Sequence, residues 1–369
     1  MAYESTADSS DGRGPRRRKS RSAGRKALLA TAWAAAGLVL LGGGGLGYVY
    51  FKLNGNLSGV DINTALGKHR PKNVDNGSMD ILVLGSDSRS GANAAYGGGG
   101  GTGARSDTAM VVHVYKGHKR ASVVSIPRDT LVTRPDCTAS DGSTVKGGRE
   151  QMFNSAYAAG GPACAVKTVE AMSGIRMDHF VEVDFTGFKK LVDTLGGVPV
   201  TTRKAIDDDK SHLHLAPGTH TLNGEQALGL VRTRHGVGDG SDLGRIELQQ
   251  AFVRALINQV RQVGVISDPA KLYDLADTAT SAMTTDSELA SVKQLAGFAG
   301  GFKGISSNGT TMVTLPVAYD PHDANRVLPL AAQDRQVWAA LKGDKPVPAS
   351  ATKGSAAAQG SAGRVVTGG

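Results

Sequence analysis

Four short segments of this chain set arginine and aspartate among small hydroxyl residues. They are Leu84-Gly85-Ser86-Asp87-Ser88-Arg89, Arg105-Ser106-Asp107-Thr108, Ser125-Ile126-Pro127-Arg128-Asp129 and Val231-Arg232-Thr233-Arg234-His235, the last followed by Asp242, Arg245 and Gln249. Guanidinium forks match phosphate oxygens two at a time, and carboxylates hold hard divalent cations through oxygen. The set therefore suits a polyanion accompanied by a divalent cation. Each segment also has a plainer reading: Arg105 with Asp107 as a surface ion pair, Arg232 with Arg234 as a solvated basic patch, Asp87 and Asp129 as caps or turn formers. No GxxxxGK[ST], HExxH, GxSxG or paired CxxC occurs, so the chain lacks the signatures of P-loop, zincin and serine-hydrolase chemistry. A substrate hydroxyl is then a better nucleophile than a protein side chain. Phosphoryl transfer, where positioning and charge neutralisation do most of the work, has that character.

These segments fall at the ends of expected elements. Met79 to Leu84 is a short apolar run stopped by Gly85 and reads as a buried strand. Thr108 to Tyr115 and Ala121 to Ile126 are valine-rich and separated by Lys116-Gly117-His118-Lys119-Arg120, which predicts a hairpin and a sheet that is not wholly parallel. Helices are expected over residues 153–159 and 163–172, then after a strand at His179 to Phe185, over 185–195 and 223–231, with a long one from Leu243 to Val263. Two further helical stretches cover about 271–283 and 287–298, and a late strand covers Thr310 to Leu315. The pattern is α/β with a mixed central sheet covered by helices, and ligands of open α/β sheets gather at the carboxyl ends of strands.

The formal charge of +9 over 369 residues is concentrated: residues 1–26 hold eight basic residues against three acidic ones, a net of +5. The remainder is only mildly basic, which argues against a nucleic-acid partner. Residues 27–51 contain no charged side chain. As a helix they would reach roughly 37 Å, enough for a bilayer core of ~30 Å. The basic block ahead of them predicts a cytoplasmic N-terminus and an extracytoplasmic remainder. A cleaved signal peptide is the competing reading, but the apolar stretch is long for one. Cys137 and Cys164 lie beyond this stretch, in a compartment that permits disulfides, and are expected to pair. The expected organisation is a basic tail (1–26), a transmembrane anchor (27–51), a linker (52–78), a catalytic domain (79–342) and a disordered tail rich in Ala, Gly and Ser (343–369).

Taken together, the four segments resemble the LytR-CpsA-Psr family of cell-wall glycopolymer ligases. The likeness extends through Asn154-Ser155-Ala156-Tyr157, Phe185-Thr186-Gly187-Phe188, Leu195-Gly196-Gly197-Val198 and Leu222-Asn223-Gly224-Glu225-Gln226-Ala227-Leu228. The resemblance implies an α/β/α sandwich and an Mg²⁺-dependent phosphotransferase at the cell membrane. Its donor would be a polyprenyl-pyrophosphate glycopolymer such as a teichoic acid precursor, and its acceptor a peptidoglycan hydroxyl. Mapped onto this chain it implies Asp87 and Asp107 as metal-linked carboxylates, and Arg105, Arg128, Arg232 and Arg234 as a pyrophosphate clamp. Arg89, Arg245 and Gln249 would be their neighbours, and the apolar interior of the sandwich would take the lipid tail. Where many relatives carry a lysine two residues before the Asn154 position, this chain has Met152. A membrane-bound transcriptional regulator and a lipid-pyrophosphate hydrolase are the alternatives. The first needs the domain on the DNA side of the membrane, and the second needs only water in place of the sugar hydroxyl.

Overall fold

The computed structural model describes residues 45–86, 106–139, 141–234, 237, 240–263, 268–359 and 366–368. The chain forms two compact units, Met1–Phe51 and Lys52–Gly369. In the first, residues 45–51 are helical, with Leu46, Tyr48 and Phe51 exposed. Most of the expected anchor lies outside the described residues, and among those described no helix is long and apolar enough to cross a membrane.

The second unit is built on a seven-stranded mixed sheet. Its strands in chain order are β1 (Ser58–Val60), β2 (Met79–Ser86), β3 (Ser106–Val114), β4 (Ala121–Ile126), β5 (His179–Asp184), β6 (Met283–Asp286) and β7 (Thr310–Thr314). The spatial order is β1-β6-β5-β2-β3-β4-β7. The expected hairpin is β3–β4, with Ala109 opposite Ile126. β2 pairs antiparallel with β3 and parallel with β5. The carboxyl ends of β2, β4 and β5 and the start of β3 therefore lie at one end of the sheet.

Helices cover both faces. They are α1 (Ile62–Leu66), α2 (Asn154–Ser173), α3 (Phe185–Thr194), α4 (Gly224–Arg232), α5 (Asp242–Gln262), α6 (Pro269–Ala282), α7 (Val292–Gly300) and α8 (Ala331–Lys342). Alternation along β2 sorts the layers, because successive side chains point to opposite faces. Leu82 and Leu84 join Val111, Val124 and Phe180 against Val166 and Val169 of α2 and Val337 and Trp338 of α8. Met79, Ile81 and Val83 point the other way, toward Phe298 of α7. α5 lies on that second face, where Gln250 Nε2 donates to Ser125 Oγ and Thr314 Oγ1 at 3.0 and 3.1 Å. A separate apolar cluster joins α3, α4 and α5 through Val192, Leu230, Leu248 and Phe252. Helix on sheet on helix, with a mixed sheet, is the expected architecture.

Two expected helices at 153–159 and 163–172 are the halves of α2, broken where Gly160 and Gly161 leave helical angles before Pro162. Beside the break, Cys137 and Cys164 form a disulfide with Cα atoms 5.5 Å apart. A side chain at Gly160 would strike Thr138 O and crowd both cysteine Cβ atoms. Gly224 opens α4 against the backbone of Lys189 in α3, too close for a Cβ. Its N–H donates to Asp193 Oδ1 at 2.7 Å.

Two expected boundaries are corrected. The segment 52–78, read as a linker, contributes β1 to the sheet edge and buries Ile62 and Leu66, each 2% exposed, in the main core. α1 has five residues, too few to show helical periodicity in sequence, and it is held by the Asp61 cap. The tail from 343, read as disordered, buries Ala351 completely and ties Ser355 Oγ to the N–H of Val317 at 3.0 Å. It also pairs Val366–Gly368 with Val198–Thr202. Backbone pairing and alanine burial need no apolar run, so composition concealed them.

Candidate functional site

Arg128 follows β4 in a tight turn. Thr130 N–H and Oγ1 both donate to Pro127 O, at 3.0 and 2.6 Å. The turn is stapled to the start of α2 by Asn154 N–H to Arg128 O at 3.0 Å and Phe153 N–H to Thr130 O at 2.9 Å. Thus the Asn154 segment fixes the backbone from which the Arg128 side chain projects. Asp107 sits at the start of β3, beside a register shift opposite Gly85 and Ser86.

α5 supplies three residues on one face. Ser241 caps it through the Gly244 N–H, which leaves Asp242 in the first turn, where the helix dipole favours a carboxylate. Arg245 and Gln249 follow at spacings that align on a helix. Helix α4 ends at Arg232, and Thr233 leaves helical angles with ψ at 133° just before Arg234.

These elements meet at one end of the sheet. Arg128 Nη1 binds Asp107 Oδ1 at 2.6 Å, and its Nε lies 3.3 Å from Asp129 Oδ2 and 3.4 Å from Asp242 Oδ1. Asp242 Oδ1 also takes Arg234 Nη2 at 3.0 Å and Arg245 Nη2 at 2.5 Å. Arg245 reaches Asp107 O at 3.2 Å, and Gln249 Nε2 donates to Thr108 Oγ1 and Val231 O at 3.1 and 3.0 Å. The result is one connected network, with Asp242 as its hub. Burial works most strongly on Arg128 and would lower its pKa, yet Asp107, Asp242 and Asp129 together hold it above the ordinary arginine value. Arg245 is only 6% exposed, and burial, helped by repulsion from Arg128 and Arg234, holds it below that value.

The network opens on a cleft of about 330 Å³, whose walls include Asp107, Arg128, Arg232, Arg234, Arg245 and Gln249. Phe185 lies under Arg232, whose guanidinium carbon sits 5.0 Å from the ring centroid. Such a contact holds a cation in place without neutralising it. Asp208 and Lys210, from the hairpin of Ile206–Asp208 and Leu213–Leu215, also face the cleft. Of the residues singled out in the sequence, the structure brings Asp107, Arg128, Arg232, Arg234, Arg245 and Gln249 together. Asp87, Arg89 and Arg105 lie outside the described residues. Phe185 carries no charge, Asp208 is only the middle of the acidic run Asp207-Asp208-Asp209, and Asp242 stands in the sequence simply beside Arg245 and Gln249.

For a divalent cation, Asp107 fits as one ligand: Oδ1 is committed to Arg128, while Oδ2 has no hydrogen-bond partner among the described residues. Asp242 Oδ2 is buried and likewise has none. Two groups of described residues converge closely enough to hold a metal, His179 with Asp286 and Glu288, and Asp207 with Asp209 and His214. Neither includes Asp107 or Asp242.

The chain is 35% identical over 277 residues to the polyisoprenyl-teichoic acid–peptidoglycan teichoic acid transferase TagT of Bacillus subtilis, covering 72% of this chain and 79% of that one. It is 32% identical over 299 residues to the cell wall biosynthesis protein LcpA of Corynebacterium glutamicum, covering 74% of this chain but only 57% of the relative. Among solved structures, TagT bound to LI-WTA superposes with a TM-score of 0.56 at 28% identity, over 77% of this chain and 98% of that one. Residues 49–343 match the LytR_cpsA_psr family, and the chain belongs to it.

Proposed function

We propose that this chain is a membrane-anchored phosphotransferase that moves a glycopolymer from a polyprenyl-pyrophosphate carrier to a peptidoglycan hydroxyl. The observation that carries the reading is the cleft itself: arginines from three separate elements converge on one opening, with a ring stacked under one of them to hold it. The teichoic acid transferase TagT and its structure with LI-WTA support a substrate of this class.

In the reaction, the acceptor oxygen attacks the phosphorus that bears the glycopolymer. A new P–O bond forms as the bond to the bridging oxygen breaks, polyprenyl phosphate leaves, and the hydroxyl proton passes to a base. Negative charge builds on the departing phosphate, and Arg128, Arg232 and Arg234 supply preorganised donors toward it. Arg245 and Gln249 hold the network behind them. Mg²⁺, held by Asp107 and Asp87, would add charge neutralisation. Residues 27–51 would anchor the chain with the domain outside the cytoplasm.

The test is transfer of a short labelled glycan from a synthetic polyprenyl pyrophosphate to a peptidoglycan acceptor. Covalent label in peptidoglycan supports the reading. Release of label into water alone replaces it with hydrolysis, and no turnover of the pyrophosphate removes it.

A further inference from the structure

We propose that Asp208 is a positioning residue that aims Arg234 into the cleft; the inference rests on the anion-binding reading above and extends it. Asp208 ends the strand Ile206–Asp208 and is 2% exposed. Its carboxylate spans two pieces of chain that are remote in sequence. Oδ1 accepts from the N–H groups of Lys210 at 3.0 Å and Ser211 at 3.4 Å, closing its own turn. Oδ2 accepts from the N–H of Arg234 at 3.0 Å.

That last N–H has no helical partner. α4 stops at Arg232, and Thr233 turns extended with ψ at 133°. A second bond lies beside the first: Thr233 is fully buried, and its hydroxyl pairs with Ser211 Oγ at 2.7 Å while donating to Gly229 O at 2.9 Å. The path of residues 232–234 is therefore set by the 208–211 turn. With Thr233 locked inward, its two neighbours face the cleft, Arg232 over Phe185 and Arg234 to Asp242.

An amide cannot replace this carboxylate. Asparagine offers one acceptor oxygen and one NH₂. In either orientation an amide N–H confronts a backbone N–H, that of Arg234 or those of Lys210 and Ser211. The fold loses little, because the strand and hairpin remain, but the direction of residue 234 is no longer fixed.

The experiment is a double-mutant cycle on the full chain, with farnesyl pyrophosphate as probe and binding read by calorimetry. Asp208→Asn should weaken binding about tenfold, the scale of one charged hydrogen bond. In the Arg234→Ala background the same substitution should change binding less than about twofold, because the residue it acts through is gone. An equal loss in both backgrounds, or no loss in the parent, overturns the proposal. Should Asp208→Asn fail to fold, Ser211→Ala replaces it in the cycle with a smaller expected ratio, about threefold. If the parent chain does not bind the probe, it is the pyrophosphate reading that fails. Asp208 is then judged by the Nε–Hε NMR resonance of Arg234, which shifts in Asp208→Asn if the residue is aimed by it and stays in place if it is not.

Discussion

The two ends of the central sheet use the same kinds of residue to opposite effect. At the far end from the cleft, charge is closed on itself. His113 is fully buried, with Nδ1 at 2.8 Å from Asp80 and Nε2 at 3.2 Å from Asp344. Arg70 and Glu170 pair at 2.6 Å, each nearly buried, and Glu170 also accepts from Met177 N–H. Asp286 takes His179 and three backbone N–H groups. At the cleft end, guanidiniums converge on shared carboxylates, and Arg232 rests on a ring. A saturated ion pair has little left to offer a ligand. A shared carboxylate leaves each arginine with unused N–H directions, and those can turn to phosphate oxygens. Charge content does not separate a site from a strut here; what separates them is whether the donors are spent.

This contrast can be broken experimentally. Substitutions at the cleft should cost turnover and spare the fold, while those at the far end should do the reverse. The largest effect is expected at Arg128. Arg128→Lys keeps the charge but loses the fork, and transfer should fall on the order of 10²-fold with the melting temperature nearly unchanged. A comparable loss of fold would place Arg128 among the struts.

Next is the disulfide, which takes no part in the cleft network and calibrates pure stability. Reducing it, or making Cys137→Ser with Cys164→Ser, opens a loop of 27 residues and should cost roughly 3 kcal/mol on the chain-entropy model. Denaturant titration measures it, and residual folded enzyme should turn over at the parent rate.

His113→Gln should cost about 2 kcal/mol near pH 6 and leave turnover intact, since a neutral amide replaces an imidazolium between two carboxylates. Burial pulls His113 down most strongly, but Asp80 and Asp344 together hold it above the ordinary 6.5. A raised folded pKa gives stability that is complete below about 6.5 and is lost as pH rises through the folded value. Melting temperature against pH should therefore decline over that window in the parent chain and flatten in His113→Gln. A parent profile that rises instead would mean His113 is neutral in the fold.

The smallest effect is at Asp334 on α8. Burial raises its pKa to about 6, and Oδ1 has no hydrogen-bond partner among the described residues. Above pH 6 the fold carries an ill-solvated charge, so Asp334→Asn should raise the melting temperature slightly at pH 8 and leave it unchanged near pH 4. Destabilisation at pH 8 would show the charge to be useful.

How much of this was legible in sequence depended on chain distance. Strands such as Met79–Ser86 announced themselves by an apolar run and a stop, and α5 by its periodicity. The arginines stood out because they cluster beside element ends. The 206–215 hairpin did not, because its strands have three residues each and its key carboxylate bonds backbone, which leaves no mark on composition. The hub role of Asp242 was hidden for a related reason. Its partners lie at 128, 234 and 245, and only the fold brings the first of them within reach.

The break in α2 also constrains how this chain can change over generations. Position 160 is barred from gaining a side chain by the two cysteine Cβ atoms and the Thr138 carbonyl beside it. The carbonyl is the nearer obstacle, 2.6 Å from where a Cβ would sit, and it stays whether or not the bridge is kept. Losing the cysteines therefore does not free position 160, and Gly161 and Pro162 hold the break in the helix without them.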